Sequence, residues 1–265
     1  AVFGAGQTTG LRRIDYLLCD QVSTPAEHAP YLSEQRAELP FAGLPYKPGD
    51  DFIDPASLPS LTGAPFTFAC VTRPVRVNTA VCALWGQILA ACPQAQLVFE
   101  HGSYEEPEVQ ERYRHQLAAA GARVEQILFR NTRPYWQLFH GIDLLLDPWP
   151  AGSGTVGTDA LWMERLTLTL ASRPIMGRVM TAQLTGLGLA KGFVCPDPES
   201  YRLRAIALAT SVSGRTELAE ASSGLRQRLQ NSHLMDYKGY GQAVAQLYRR
   251  LWIERCCAAA QLPTS

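Results

Sequence analysis

The chain has 265 residues, of which 46% are apolar and 18% are charged, and its 24 basic and 24 acidic residues leave no net charge. This composition excludes intrinsic disorder, a strongly basic nucleic-acid-binding surface and a polybasic membrane binder. The sequence holds no apolar run near the roughly 18–20 residues needed to cross a bilayer, so we expect neither a nucleic-acid nor a membrane partner.

The seven cysteines indicate a reducing compartment. Their number is odd, most lie inside apolar stretches, and none forms a Cys-x-x-Cys pair or a Cys/His cluster with zinc spacing. We therefore expect free thiols, no metal ion and a cytoplasmic protein. The chain begins with Ala1 and lacks the features of a signal peptide, so we expect it to start partway through a larger protein.

The first 65 residues predict little regular structure. A short strand is expected over 11–19, ending at Asp20, and a helical segment over 25–37 is interrupted by Pro30. Residues 40–65 are rich in Pro, Gly and Asp and are interpreted as a linker, with a domain boundary near residue 60.

From Phe66 onward, apolar runs of strand length alternate with amphipathic helical stretches. This alternation predicts parallel βαβ units in a doubly wound α/β sheet, which binds ligands at the carboxyl ends of its strands. Strands are predicted at 66–71, 95–100, 124–129, 142–147, 166–171 and 192–195, and helices at 79–92, 105–121, 134–140, 158–164, 176–187, 199–210, 215–230 and 237–256.

The segment 147–162 (DPWPAGSGTVGTDALW) is the strongest candidate for a phosphate site. Its small residues allow a ligand to approach the backbone, and the helix that follows offers unpaired N–H groups and a positive dipole end. Ser153 and Thr155 add hydroxyl donors. Asp159 could accept hydrogen bonds from ribose hydroxyls or could simply favour the start of the helix.

Two further segments follow strands at the same predicted edge. Arg73 and Arg76 suit a diphosphate, although solvated loop arginines would show the same pattern. Residues 130–136 could line a slot for a base, or could be aromatic packing under a loop. No histidine has the spacing of a catalytic triad, and we predict that none is a catalytic base.

Four blocks of the sequence, taken together and in order, resemble the catalytic region of the O-linked N-acetylglucosamine transferase family, which includes SPINDLY proteins and bacterial TPR-linked relatives. The blocks are GQTTGLRRIDYLLCDQVSTPAEHAPYLSEQRAELP (6–40), FACVTRPVRVNTAVCALWGQIL (68–89), YWQLFHGIDLLLDPWPAGSGTVGTDALWM (135–163) and GRVMTAQLTGLGL (177–189).

The resemblance implies a GT-B fold, with two Rossmann-like domains facing across a cleft. It implies that 1–48 are a remnant of the N-terminal, acceptor-side domain, 49–65 a linker, 66–235 the UDP-sugar-binding domain, and 236–265 a C-terminal helix packing back toward the first domain. A TPR segment is expected upstream. The implied activity is inverting transfer of a sugar from a UDP-sugar to Ser or Thr of a protein or peptide. GlcNAc is the sugar that the resemblance favours most, and no cofactor or metal is required.

The resemblance also assigns roles to single residues. Arg76 stands where the family has a Lys that stabilises the leaving diphosphate, which makes it the predicted catalytic residue. The predicted UDP contacts are Arg73, Arg76, Arg130, Thr132, Arg133, Tyr135, Gly154, Thr155, Val156 and Asp159, and the predicted acceptor-side residues are Thr8 and Thr9.

The sequence also departs from the family pattern. Val156 replaces a threonine that donates to phosphate, and Glu164-Arg165 replaces the usual Gly-x-Pro. These changes leave open a diverged nucleotide-sugar-binding module without transferase activity. A nicotinamide-dependent oxidoreductase is a weaker alternative, because residues 71–77 contain no glycine for a dinucleotide fingerprint.

Overall fold

The computed structural model describes residues 7–172 and 174–260. Within them the strands are β1 Tyr16–Cys19, β2 Gln35–Glu38, β3 Thr67–Cys70, β4 Gln96–Glu100, β5 Ile127–Arg130, β6 Leu144–Leu146, β7 Leu166–Leu170 and β8 Val194–Cys195. The α-helices are α1 Thr79–Ala91, α2 Pro107–Ala119, α3 Thr155–Trp162, α4 Val179–Gly186, α5 Ala190–Phe193, α6 Pro198–Thr210, α7 Val212–Ser222, α8 Leu225–Gln230 and α9 Tyr237–Ala260.

The predicted doubly wound α/β sheet is confirmed. Six strands pair in parallel in the order β5-β4-β3-β6-β7-β8, so the chain builds outward in both directions from β3 and β6. Every residue of β3 and β7 is buried, which requires helices on both faces of the sheet. Ligands bind such sheets where the strand order reverses, which here is between β3 and β6.

Helix α1 shows how the apolar spacing builds the core of this sheet. Val81, Trp85 and Ile88 recur at helical intervals and are fully buried. Asn78 caps the helix by accepting a hydrogen bond from the Val81 N–H at 3.0 Å. Gly86 lets α2 approach closely, because a Cβ there would lie 2.5 Å from Ala120 Cβ.

The N-terminal segment forms a separate two-stranded parallel sheet of β1 and β2. Helix α9 packs on it through a small cluster whose buried members are Ala37, Leu39 and Leu247. The predicted helix over 25–37 is wrong beyond Tyr31, where a 3₁₀ helix ends and the chain continues into β2. Strand β2 buries little apolar surface of its own and depends on pairing with β1, which is a tertiary contact.

The segment interpreted as a linker is fixed to the large sheet by two arginines. Arg165, which is 1% exposed, donates to the carbonyls of Ala56 and Ser57 at 2.9 and 3.1 Å. Arg226 donates to Ile53 O at 2.6 Å. These contacts hold residues 53–57, which form no helix or strand, and the 3₁₀ helix Pro59–Thr62 follows them.

Two other expectations are corrected in detail. The predicted helix over 215–230 is two helices, α7 and α8, separated at Gly224, whose φ of 69° is left-handed. Of the strand predicted at 192–195, the first two residues belong to α5 and the last two form β8. Within the described part of the chain, no helix is long and apolar enough to cross a membrane.

Candidate functional site

A cavity of about 820 Å³ opens at the switch point of the large sheet. Residues 71–73 and Arg76, which follow β3, line it together with 153–156, which follow β6. The N-terminal part of the chain also lines it, with residues 17–20 at the end of β1 and residues 43–47, and these residues form the N-terminal wall. The carboxyl end of β1 therefore faces the same cavity as the carboxyl ends of β3 and β6.

Asp147 follows β6 directly and holds the glycine-rich loop, residues 148–154, from inside the protein. Its Oδ1 accepts hydrogen bonds from the Ser153 N–H at 2.5 Å and the Ser153 hydroxyl at 2.7 Å, and its Oδ2 accepts one from the Thr169 hydroxyl at 2.8 Å. Burial raises the pKa of this carboxyl to about 6, against the opposing effect of the hydrogen bonds from Ser153 and Thr169.

The start of α3 offers hydrogen-bond donors to the cavity. Gly154 is the N-cap residue, and its carbonyl accepts from the N–H groups of Gly157 and Thr158 at 3.0 and 3.3 Å. The N–H groups of Thr155 and Val156 have no backbone or side-chain acceptor among the described residues. Unpaired N–H groups at the positive end of a helix dipole bind anions such as phosphate.

Both predicted diphosphate arginines line the cavity. Arg76 is half-buried, and its Nη1 donates to Gly152 O in the glycine-rich loop, so the guanidinium is held beside the start of α3. Arg73 is exposed at the cavity mouth. Arg73, Arg76, Gly154, Thr155 and Val156 thus line the same cavity, and their contacts to a nucleotide stay predictions.

Sequence reasoning missed charged residues on the N-terminal wall. Lys47 is exposed and lines the cavity, as Arg73 and Arg76 do. Asp20 also lines it, but this carboxylate is 5% exposed and accepts from the N–H groups of Val22 and Ser23 at 2.9 Å. Its position directly after a predicted strand was a signal for Asp20, whereas the sequence offers no comparable signal for Lys47.

The predicted base-binding segment does not line the cavity. The hydroxyl and N–H of Thr132 donate to Glu100 at 2.7 and 3.1 Å, and the carbonyl of Arg130 accepts from the His101 N–H at 3.1 Å. His101 does line the cavity, and its pKa is lowered by burial and by the charges of Arg73 and Arg133. The base-binding roles of Arg130, Thr132 and Arg133 stay predictions.

Asp159, the predicted ribose ligand, has both carboxylate oxygens engaged by tyrosines. Oδ1 accepts from the Tyr46 hydroxyl at 2.8 Å, and Oδ2 accepts from the Tyr135 hydroxyl at 2.7 Å. Burial raises the pKa of Asp159, and burial together with its charge raises the pKa of both phenols. The side chains of Asp159 and Tyr135 do not line the cavity, so their contacts to a nucleotide stay predictions.

Thr8 and Thr9 are held by Glu34, which is 5% exposed. Glu34 Oε2 accepts from the Thr8 hydroxyl at 2.8 Å, and Oε1 accepts from the Thr9 N–H at 2.6 Å and from its hydroxyl. Burial alone would raise the pKa of Glu34, but the hydrogen bonds from Thr9 and Thr8 lower it to about 2. Gln7 lines the cavity next to this pair, and the acceptor role of Thr8 and Thr9 stays a prediction.

The cavity also has an apolar part that the sequence did not reveal. Met176, Val179 and Ala182 line it from the region of α4, and Leu44 and Pro45 also line it. A ligand that fills the whole cavity would therefore place a charged part against the arginines and a less polar part against α4.

The described residues include no group of three or more His, Cys, Asp or Glu side chains arranged to hold a metal ion. All seven cysteines are free, five of them buried and Cys256 and Cys257 exposed. Burial raises the pKa of the Cys19, Cys92 and Cys195 thiols to about 11, so these thiols are protonated near neutral pH.

Comparison with known proteins identifies relatives along almost the whole chain. "Probable UDP-N-acetylglucosamine--peptide N-acetylglucosaminyltransferase SPINDLY" of Petunia hybrida is 26% identical over 257 residues, which are 96% of this chain and 27% of that protein. The similarly named SEC protein of Arabidopsis thaliana is 27% identical over 261 residues, covering 94% of this chain and 26% of the relative. This chain is similar to the O-GlcNAc transferase and SPINDLY proteins.

Solved structures agree on the fold. An O-GlcNAc transferase of Thermobaculum terrenum superposes with a TM-score of 0.83 and 27% identity, covering 96% of this chain and 48% of that chain. Sucrose-phosphate synthase of Thermosynechococcus elongatus has a TM-score of 0.55 at 14% identity, and covers 90% of this chain and 59% of that one. The fold is of the GT-B type, as the resemblance implied. No protein-family model matches the chain, which spans about a quarter of the length of the curated relatives.

Proposed function

We propose that this chain carries the donor-binding part of an inverting glycosyltransferase that moves a sugar from a UDP-sugar to Ser or Thr of a protein. The single observation that carries the proposal is the meeting of Arg73, Arg76 and the start of α3 at the switch-point cavity. Cationic side chains and unpaired helix N–H groups on one wall suit a diphosphate. The similarity to peptide N-acetylglucosaminyltransferases supports GlcNAc as the first donor sugar to test.

In the proposed sugar transfer, negative charge develops on the diphosphate as it leaves. The acceptor hydroxyl oxygen attacks the anomeric carbon in line with the bond to the diphosphate. The new C–O bond forms as the bond to the diphosphate breaks, UDP leaves with the electron pair, and the hydroxyl proton passes to a base. Arg76 and the N–H groups of Thr155 and Val156 stabilise the charge that grows on the leaving diphosphate. These groups can supply the positive charge for UDP departure, so we propose that no metal ion is required.

Titration of the chain with UDP, followed by isothermal calorimetry, tests donor binding. Truncation of a charged group that binds an anion costs roughly 1.5–3 kcal/mol, so Arg76→Ala should weaken UDP at least about tenfold. Arg202→Ala is the matched control, because Arg202 lies on α6 in an exposed pair with Glu199 and does not line the cavity. Undiminished UDP binding by Arg76→Ala would contradict the proposed diphosphate site.

A second candidate is a nucleotide-sugar-binding module without transferase activity. It is favoured by Val156, which brings no hydroxyl to the start of α3, and by Asp159, whose oxygens are both occupied by Tyr46 and Tyr135. Sugar transfer from UDP-GlcNAc to a Ser/Thr peptide, assayed on the full-length gene product in EDTA, separates the two. UDP binding without transfer from any UDP-sugar supplied would favour the module, and transfer abolished by EDTA would contradict metal independence.

A further inference from the structure

We infer that Asp147 is a positioning residue for the diphosphate, acting from behind the cavity through the glycine-rich loop. This inference rests on the proposed function, because it concerns how the same anion site is shaped. Asp147 is 2% exposed and does not line the cavity, so it cannot contact a ligand directly. Its effect must pass through Ser153, which does line the cavity.

The contacts of Asp147 fix the backbone just before α3. One oxygen accepts both Ser153 groups, and the other accepts the hydroxyl of Thr169, which is 1% exposed on β7. The carboxylate also packs directly under the loop, because a Cβ on Gly152 would lie 2.5 Å from Asp147 Oδ2. The two hydrogen bonds from Ser153 hold it against Asp147, and the bond from Thr169 orients the carboxylate, so together they hold the chain just before α3.

The N–H groups at the start of α3 and the Arg76 side chain both depend on the position of Ser153 and the glycine-rich loop. The Ser153 N–H is directed inward to Asp147, whereas the N–H groups of the next three residues, Gly154, Thr155 and Val156, have no acceptor among the described residues. Arg76 donates to Gly152 O, so the guanidinium is placed relative to the same loop. Asp147 therefore orients both the helix N–H groups and Arg76 for one anion.

A buried carboxylate behind an anion site carries an electrostatic cost, since like charges repel in a region of low dielectric. The hydrogen bonds that hold the glycine-rich loop offset this electrostatic cost. Diphosphate binding therefore needs the hydrogen bonds of Asp147 and does not need its negative charge. An asparagine can satisfy the same geometry, with its amide oxygen accepting from Ser153 and its NH₂ donating to Thr169 Oγ1.

Strand β6 supplies a matched control in Asp143, which precedes the strand as Asp147 follows it. Asp143 is 0% exposed, and accepts from Ser60 N–H at 3.0 Å, Ser60 hydroxyl at 2.7 Å and Thr67 N–H at 2.8 Å. Both carboxylates are buried and hydrogen-bonded to three donors, but Asp143 lies at the amino end of the strand. Four residues of strand separate their Cα atoms by about 13 Å, so only Asp147 adjoins the loop.

The test compares UDP with uridine, which lacks the phosphates, in calorimetric titrations of the unmodified chain, Asp147→Ala, Asp147→Asn and Asp143→Ala. Loss of the loop hydrogen bonds should lower UDP affinity about tenfold or more in Asp147→Ala while uridine affinity stays within about twofold. Asp147→Asn should bind UDP within about threefold of the unmodified chain. Asp143→Ala should lower the unfolding temperature and leave the affinities for UDP and uridine unchanged.

Several results would overturn the inference. Asp147→Ala could bind UDP as the unmodified chain does, or could lose UDP and uridine by the same factor, or Asp143→Ala could lose UDP equally. If Asp147→Ala does not fold, Thr169→Val is the alternative variant, because it removes one of the three donors to Asp147. If Thr169→Val keeps both the UDP affinity and the unfolding temperature of the unmodified chain, Asp147 is not a positioning residue. A chain that binds no UDP before any substitution would instead overturn the proposed function, and this result is visible without the variants.

Discussion

The two walls of the cavity are both built from the carboxyl ends of parallel strands, but different forces hold them. The wall from the large sheet rests on six paired strands whose central members are buried on both faces. The N-terminal wall rests on β1 and β2, and in the described part of the chain the cluster between these strands and α9 has three buried members, Ala37, Leu39 and Leu247. Hydrophobic burial therefore stabilises the first wall far more than the second.

Polar contacts compensate on the N-terminal side. Glu34 holds the turn at Thr8 and Thr9, and Arg178 from the large domain donates to Val22 O at 2.8 Å and to Ser172 O at 3.2 Å. Side-chain hydrogen bonds of this kind fix geometry with few residues but depend on charge and pH. The comparison thus predicts that the two walls respond differently to core substitutions and to acid.

The largest expected effect comes from the arginine that fixes the connection between the two walls. Arg165 also donates to Phe139 O at 2.8 Å and to Glu164 O at 3.0 Å, so its loss leaves several wholly or partly buried carbonyls unpaired. Arg165→Met should lower the free energy of unfolding by about 3–5 kcal/mol, measured by urea denaturation. Arg202→Met, which breaks only an exposed pair, should show no measurable change. Equal stability of the two variants would refute a structural role for the connection.

A smaller loss of stability is expected from a substitution on the buried side of helix α9. Leu247 is 4% exposed in the cluster under β1 and β2, whereas Trp252, five residues later, is 68% exposed. Leu247→Ala should cost about 2–4 kcal/mol in unfolding free energy if the N-terminal wall unfolds with the rest. Trp252→Ala should leave it nearly unchanged. A normal main transition with early loss of β1 and β2, seen by hydrogen exchange, would show instead that the wall unfolds separately.

The smallest effect expected is a pH dependence confined to the N-terminal wall. The pKa of Glu34 is about 2 in the folded chain and ordinarily 4.5, so its ionised form stabilises the fold above pH 4.5, and this stabilisation is lost as the pH falls from 4.5 toward 2. Thermal unfolding of Glu34→Gln should therefore differ from the unmodified chain at pH 6 and converge with it near pH 2. If the unfolding temperatures of the two proteins differ by the same amount from pH 6 to pH 2, the ionised form of Glu34 does not stabilise the fold.

Much of the large domain was predictable because its residues follow simple periodicities. The strand FTFACV and the helix carrying Trp85 are buried where the apolar pattern expected them. The glycine-rich loop and Arg76 were predictable as one site because strand ends share an edge. Strand β2 and the packed course of residues 49–65 were not, since Ala37 and Ser60 gain their partners only from distant parts of the chain.

The sequence by itself determined the parallel sheet, its carboxyl edge and the run of small residues that leads into α3, because these depend on local periodicity and on the residue types at a helix start. Only the tertiary structure decided that Asp159 bonds to Tyr46 and Tyr135, that Lys47 lines the cavity, and that Asp147 turns inward. The physical reason is that burial and hydrogen-bond partners are set by residues far apart in the chain, and composition does not encode which of them meet.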